Sequence, residues 1–184
     1  MSEITRLLRS YDKDSQQALN ELYPIVHSEL RKLAENQLKR SWAINTISTT
    51  VLVNETYLKL NNYDFKKIAD KQHFFSVTAM AMRHIIINYA EQKQSQKRGG
   101  QWQKTNSVDK LEQNACDIDI LLAVDGALKS LEEIDSALSK LVELRFFAGL
   151  TESEIAKTFN ISERTVRRNW KKARVLLSHA LSGE

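Results

Sequence analysis

The chain of 184 residues is short of the residues that punctuate or staple a fold: one proline, five glycines and one cysteine. A lone cysteine, Cys116, excludes an internal disulfide and any cysteine-based zinc site. Scarce proline and glycine, with few alternating β-branched runs, point to an all-α protein; only Ile44 to Val53 has strand-like composition. No apolar run approaches the roughly 20 residues that span a bilayer. The first residues have no signal-peptide apolar core. No membrane contact is therefore expected, and the reducing cytosol is the expected compartment. His27, His73, His84 and His179 are dispersed. There is no H-E-x-x-H, no Gly-rich phosphate loop and no serine or cysteine in a nucleophile setting. Neither catalysis nor a metal or cofactor is expected.

Charge is present in moderation. Lys and Arg number 27 against 23 Asp and Glu, for a net charge of +4, so a polyanionic partner is compatible with the total, and the placement of the cations matters more than their excess. They concentrate in the stretch Thr151 to Leu181. There Thr151 and Glu154 form a T-x-x-E capping box that starts a helix with Ile155, Ala156 and Phe159 on one side. Asn160-Ile161-Ser162 breaks it, and Ser162 is a good N-cap for a second helix. A turn this short makes the two helices cross steeply. In the second helix Val166, Trp170, Ala173, Leu177 and Ala180 form an apolar stripe, with Arg164, Arg168, Lys171 and Lys172 on the opposite side. Acidic partners at helical spacing are nearly absent. The pattern is a helix-turn-helix suited to a major groove, with Ser162, Glu163, Arg164, Thr165, Arg167 and Arg168 nearest bases and Lys171 and Lys172 nearest phosphates.

Upstream, Ile4, Leu7 and Leu8 open a short helix, and Leu19 to Leu38 carry a longer apolar pattern that Pro24 should kink or break. A helix from about Thr50 ends near Asn61-Asn62, a polar loop follows to Lys71, and a wide-faced core helix runs from about Gln72 to Gln94. Residues 93 to 106 are basic, with Lys93, Lys97, Arg98 and Lys104 around Gly99-Gly100 and Trp102; Val108 to Asp119 is acidic and aperiodic. The first of these stretches reads as a solvated linker or as a strand-binding segment. Residues 1–95 and 118–184 are thus expected to be two small helical domains, with 96–117 a flexible linker between them. Helices over Ile120–Leu131 and Asp135–Ala148, capped by Gly149, complete the second domain.

The segments LVNETYLKL at 52–60, HFF at 73–75, AMAMRHIIINYA at 79–90, KRGGQW at 97–102 and LVELRFFAGLTESEIAKTFNISERTVRRNWKKAR at 141–174 resemble bacterial RNA polymerase sigma factors of the extracytoplasmic function (ECF) class. The resemblance covers nearly the whole chain in the family's domain order. It implies a first domain that binds core RNA polymerase through the helix carrying Leu52, Asn54, Glu55, Leu58 and Leu60. That domain would also open and capture the −10 element. The capturing loop would be Asn61 to Lys71, with Asn61, Asn62 and Tyr63. Arg83, His84, Asn88 and Lys93 would face backbone or melted bases, and Lys97 and Arg98 would hold the strand. The second domain would read the −35 element as duplex. Such division is physically sensible, since duplex readout needs a rigid helix and strand capture a pocket for a flipped base.

One departure stands out. Many relatives carry acidic residues just before the LVxE segment, facing a basic surface of the polymerase clamp; here the run is Ser48-Thr49-Thr50-Val51, with no carboxylate. Phosphorylation adds about −1.5 to −2 charges at neutral pH, so a Ser/Thr kinase acting on Thr49, Thr50 or Ser48 is one expected source of the missing charge; the plain alternative is that these hydroxyls cap the helix. A kinase and an anti-sigma factor are the candidate regulatory partners, beside core RNA polymerase and promoter DNA. The competing reading is an autonomous helix-turn-helix regulator, which would dimerise and bind duplex unaided, whereas a sigma factor is monomeric when free and needs the polymerase.

Overall fold

A computed structural model describes residues 3–10, 15–40, 47–64, 68–98 and 108–182. Among them every regular element is an α-helix: α1 (Glu3–Ser10), α2 (Ser15–Arg40), α3 (Thr49–Leu60), α4 (Lys71–Arg98), α5 (Val108–Ile134), α6 (Ser136–Phe146), α7 (Glu152–Phe159) and α8 (Glu163–Ser182). The chain divides into two compact units, Met1–Tyr89 and Ala90–Glu184.

In the first unit α2 presents Leu22, Val26, Leu30, Ala34 and Leu38 to the core, one residue every four, all buried. Phe74, Met82 and Ile86 of α4 and Leu52 and Leu60 of α3 are also buried. The side-chain amide of buried Gln37 donates to the Ala79 carbonyl at 2.8 Å, tying α2 to α4. The hydroxyls of Thr56 and Thr78, both fully buried, donate to the carbonyls one turn back, Leu52 at 2.6 Å and Phe74 at 2.8 Å, so neither is left unsatisfied.

Of the kink or break expected at Pro24 the break is absent, and the strand-like stretch is corrected. α2 runs through Pro24 without a break. Pro24 is exposed, and so is Asn20, the residue whose carbonyl a proline at this position leaves without its helical donor. The strand-like segment supplies no strand: Thr49 to Val53 form the start of α3, while 44–46 lie outside the described residues. There Ser48 acts as N-cap, accepting the Val51 N–H at 3.3 Å, and burial of Leu52 and Val53 outweighs β-branched preference. The helices also take both ends of the stretch expected to be linker, α4 reaching Arg98 and α5 starting at Val108. Leu, Glu, Gln and Ala in 111–115 favour helix even where the apolar period is lost.

The second unit is built on two adjoining apolar clusters. Leu128, Leu131, Leu138, Val142, Phe147 and Ala173 form one, and Leu141, Leu144, Leu150, Ile155, Ala156 and Val166 the other, with Trp170 packed against both. Its helices are closed by local chemistry. Asp135 caps α6, accepting the Leu138 N–H at 3.2 Å. Gly149, at φ 71°, ends α6 and lets the Leu150 N–H return to the Leu144 carbonyl at 3.0 Å. The capping box at α7 is complete: Thr151 Oγ1 accepts the Glu154 N–H at 3.3 Å, and Glu154 Oε2 accepts the Thr151 N–H at 2.8 Å.

These caps hold two carboxyls below their ordinary range. For Asp135 the leading cause is the Leu138 amide, followed by Lys172; for Glu154 it is the Thr151 hydroxyl and then the Thr151 amide. A depressed folded pKa contributes stability above the unfolded value, near pH 4, that is lost as the pH falls further. In denaturant unfolding from pH 6 to pH 3, wild-type protein should therefore lose more stability than the Asp135→Asn/Glu154→Gln variant. Thr151→Ala should cost about 1 kcal/mol at neutral pH; an unchanged midpoint would remove the cap from the account.

Candidate DNA and polymerase interface

α8 begins at Ser162, whose Oγ accepts the Thr165 N–H at 3.2 Å and lies 2.9 Å from the Thr165 hydroxyl. The turn before it is set by Asn160, in the left-handed region at φ 53°, a conformation its short polar side chain tolerates. Val166 and Ala173 are fully buried and Trp170 and Leu177 partly so, but Ala180 is exposed, so the packed stripe ends sooner than expected. Opposite that stripe, Arg164, Arg168 and Lys171 follow one another at steps of four and three, all exposed. None of these three forms an ion pair among the described residues. They make one continuous cationic line on the outer face of α8.

The other two cations expected at DNA behave differently. Arg167 Nε lies 2.9 Å from Glu152 Oε2 on α7, and its Nη2 lies 3.5 Å from Glu163 Oε2. Lys172 Nζ lies 3.2 Å from Asp135 Oδ2, the carboxyl that caps α6. Both are turned to acidic groups of their own unit from the flanks of α8. Acidic partners at helical spacing are nearly absent, Glu163 beside Arg167 excepted, while tertiary packing supplies Glu152 and Asp135 from other helices. Arg145 on α6 also reaches Glu152 at 2.9 Å and lies over the Trp170 ring at 4.6 Å from its centroid.

In the first unit, α3 divides the residues expected to bind polymerase. Leu52 and Leu60 are core residues, 0% and 2% exposed, and are unavailable to a partner. Asn54 and Leu58 are exposed and Glu55 is half-buried. Val51, not anticipated from the sequence, completes their row: 51, 54, 55 and 58 follow helical spacing, and Val51 and Leu58 are 39% and 58% exposed. An apolar residue at each end of a polar pair, of which Asn54 is exposed and Glu55 half-buried, is the composition of a docking stripe. Thr50 at its N-terminal end is exposed and Thr49 half-buried; no acidic residue lies in the first turn of α3. Ser48 is occupied as the cap.

The loop after α3 is tied at its exit. Ile68 is buried, and Asp70 Oδ1 accepts the His73 N–H at 2.8 Å. The hydroxyl of Thr5 on α1 accepts the Lys71 N–H at 3.2 Å, satisfying an orphan amide of α4. At its entry Asn61 is half-buried, Asn62 exposed and Tyr63 half-buried; 65–67 lie outside the described residues. Along α4, His84 and Asn88 are exposed on one face, and Lys93 is partly buried, which draws its ammonium below the ordinary lysine range. Arg83 is not on that face: it is buried, 6% exposed. The side chains of Lys97 and Arg98 lie outside the described residues, as do Gly99-Gly100, Trp102 and Lys104. Among the described residues no helix is long and apolar enough to cross a membrane and no group of side chains could hold a metal ion.

A family model described as ECF sigma factor matches residues 1–183 of the chain. No curated protein matches it.

Burial separates neighbours on α4. Arg83→Ala should destabilise the first unit by about 1–3 kcal/mol, because a long side chain that is 6% exposed is removed from packed surroundings. Asn88→Ala should stay within about 0.5 kcal/mol of wild type. Equal unfolding midpoints for the two variants would return Arg83 to the surface.

Proposed function

Because the chain belongs to the ECF sigma factor family, we propose that its two units divide promoter recognition between them. ECF sigma factors act in transcription initiation together with core RNA polymerase and promoter DNA. In this chain, residues 1–95 bind the polymerase through Val51, Asn54, Glu55 and Leu58 of α3 and engage the −10 element through the loop 61–71, with His84, Asn88, Lys93 and the strand-holding Lys97 and Arg98. Residues 118–184 read the −35 element with Ser162, Glu163, Arg164, Thr165 and Arg168 toward bases and Lys171 toward phosphate, and 96–117 link the two. The observation that carries the reading is the pairing of a continuous cationic line on α8, opposite its packed stripe, with an exposed, partly apolar row on α3: one surface suits duplex DNA and the other a protein.

The reading includes a switch. The first turn of α3 has no acidic residue, and it offers the exposed hydroxyl of Thr50 and the half-buried one of Thr49. A phosphate there sits at the positive end of the helix dipole, where negative charge is favoured, and adds the acidity that a basic clamp surface requires. A Ser/Thr kinase is the partner this implies. Thr49 and Thr50 are better targets than Ser48, whose oxygen already accepts the Val51 N–H.

Binding of the full chain to core polymerase tests both parts. Leu58→Ala should weaken binding about tenfold, the effect of one well-buried anchor worth about 1.4 kcal/mol. Phosphorylation at Thr49 or Thr50 should strengthen binding by a similar factor, and Thr49→Val/Thr50→Val should abolish the gain. Equal affinity with and without phosphate would end the switch while leaving the docking row intact; full affinity in Leu58→Ala would end the docking row.

A further inference from the structure

Taking α8 as the duplex-facing helix proposed above, we propose that Glu152 is a specificity-determining residue of the second unit, which withholds Arg167 from the DNA backbone and so limits sequence-independent binding. Arg167 is one of five cations in the α8 stretch Arg164 to Lys172, and helical periodicity puts it on the flank, off the line of Arg164 and Arg168. Its surroundings set it further apart. Glu152 holds Arg167 Nε at 2.9 Å through one carboxylate oxygen and Arg145 Nη1 at 2.9 Å through the other. Glu163 adds a longer contact to Arg167 at 3.5 Å.

The carboxylate is therefore bridged on both sides, and its position is set from three helices. Arg145 is itself laid over Trp170, a residue packed in both apolar clusters. The Glu152 and Arg145 side chains are 29% and 30% exposed, while Arg167 is 59% exposed. A partly buried carboxylate in a fixed place is a better anchor than a fully solvated one, because less side-chain freedom is lost on pairing. Arg167 is reachable by solvent, yet its guanidinium is directed to α7 instead of outward along the line of Arg164, Arg168 and Lys171.

The consequence concerns specificity. Each cation that neutralises a phosphate raises affinity for every sequence alike and steepens its salt dependence by about 0.9 in the logarithmic slope. A duplex-facing helix that offered all its cations would bind everywhere. Pairing Arg167 with Glu152 removes one such contact and leaves the remaining line to act together with the residues at the start of α8. Arg167 is on this account a positioning residue that joins α8 to α7, and Glu152 is what makes it one.

The test is the salt slope of full-length protein binding a random-sequence duplex, read across potassium chloride concentrations. Arg164→Gln should flatten the slope by about 0.9, and Arg167→Gln should leave it unchanged. Glu152→Gln should steepen it by about 0.9 and tighten binding at 0.1 M salt about fivefold to tenfold, and Glu152→Gln/Arg167→Gln should return to the wild-type slope. Helix content by circular dichroism is read alongside; if Glu152→Gln loses helix, the slope of Arg167→Gln alone decides. A slope flattened in Arg167→Gln as much as in Arg164→Gln means that Arg167 already holds a phosphate, and overturns the assignment, as does an unchanged slope in folded Glu152→Gln. An unchanged slope in Arg164→Gln would instead overturn the duplex-facing reading of α8 itself.

Discussion

Asn160 turns the chain between α7 and α8 in the left-handed backbone region, and the angle that this turn sets between the two helices determines what the second unit presents outward. The angle is held from several directions. Ile155 and Val166, both fully buried, meet in one apolar cluster, the capping box starts α7 where Thr151 requires it, and the Glu152–Arg167 pair bridges the open side. With the crossing fixed, the outer face of α8 follows from the 3.6-residue repeat alone. On the proposed reading rigidity is a functional property: a helix that reads base edges must deliver its side chains in register, and a loose crossing would blur every contact at once.

The first unit solves a different problem. On the proposed reading, the segment between α3 and α4 must meet a displaced strand and yet be aimed. Its exit is fastened at the start of α4 by Asp70 and by the Thr5 hydroxyl of α1, so that the short first helix serves as a tertiary cap for the longest one. The adjoining row of α3 at 51, 54 and 58 remains exposed. Firm attachment of the loop ends and exposure of the neighbouring row are compatible because α3 sends Leu52, Val53, Thr56 and Leu60 inward and leaves 51, 54 and 58 outside.

Much of this was legible in the sequence because it is local. T-x-x-E announces its own hydrogen bonds, a helix-ending Gly149 its positive φ, and a break at Asn160-Ile161-Ser162 its turn. Less legible were matters decided by distant residues. Lys172 pairs with a carboxylate 37 positions away, and no periodicity within α8 reports it. The short α3 carries apolar residues on more than one side, at 51, 52, 53, 58 and 60, so its buried face depended on what α2 and α4 offered. Arg83, which looked like a surface cation, belongs to the interior for the same reason. Pro24 shows the converse: of the kink or break that proline allowed, the helix avoids the break, with Asn20 and Pro24 both at the surface.

The proposed reading is that this chain confers promoter recognition on core RNA polymerase. Run-off transcription from genomic fragments with bacterial core RNA polymerase, with and without the protein, tests that most directly. Discrete transcripts that appear only when the protein is added, in its unmodified or its phosphorylated form, are the predicted result. No such transcript in either form, together with failure to bind the core enzyme and tight binding to duplex as a dimer, would contradict the account and make the protein an autonomous regulator.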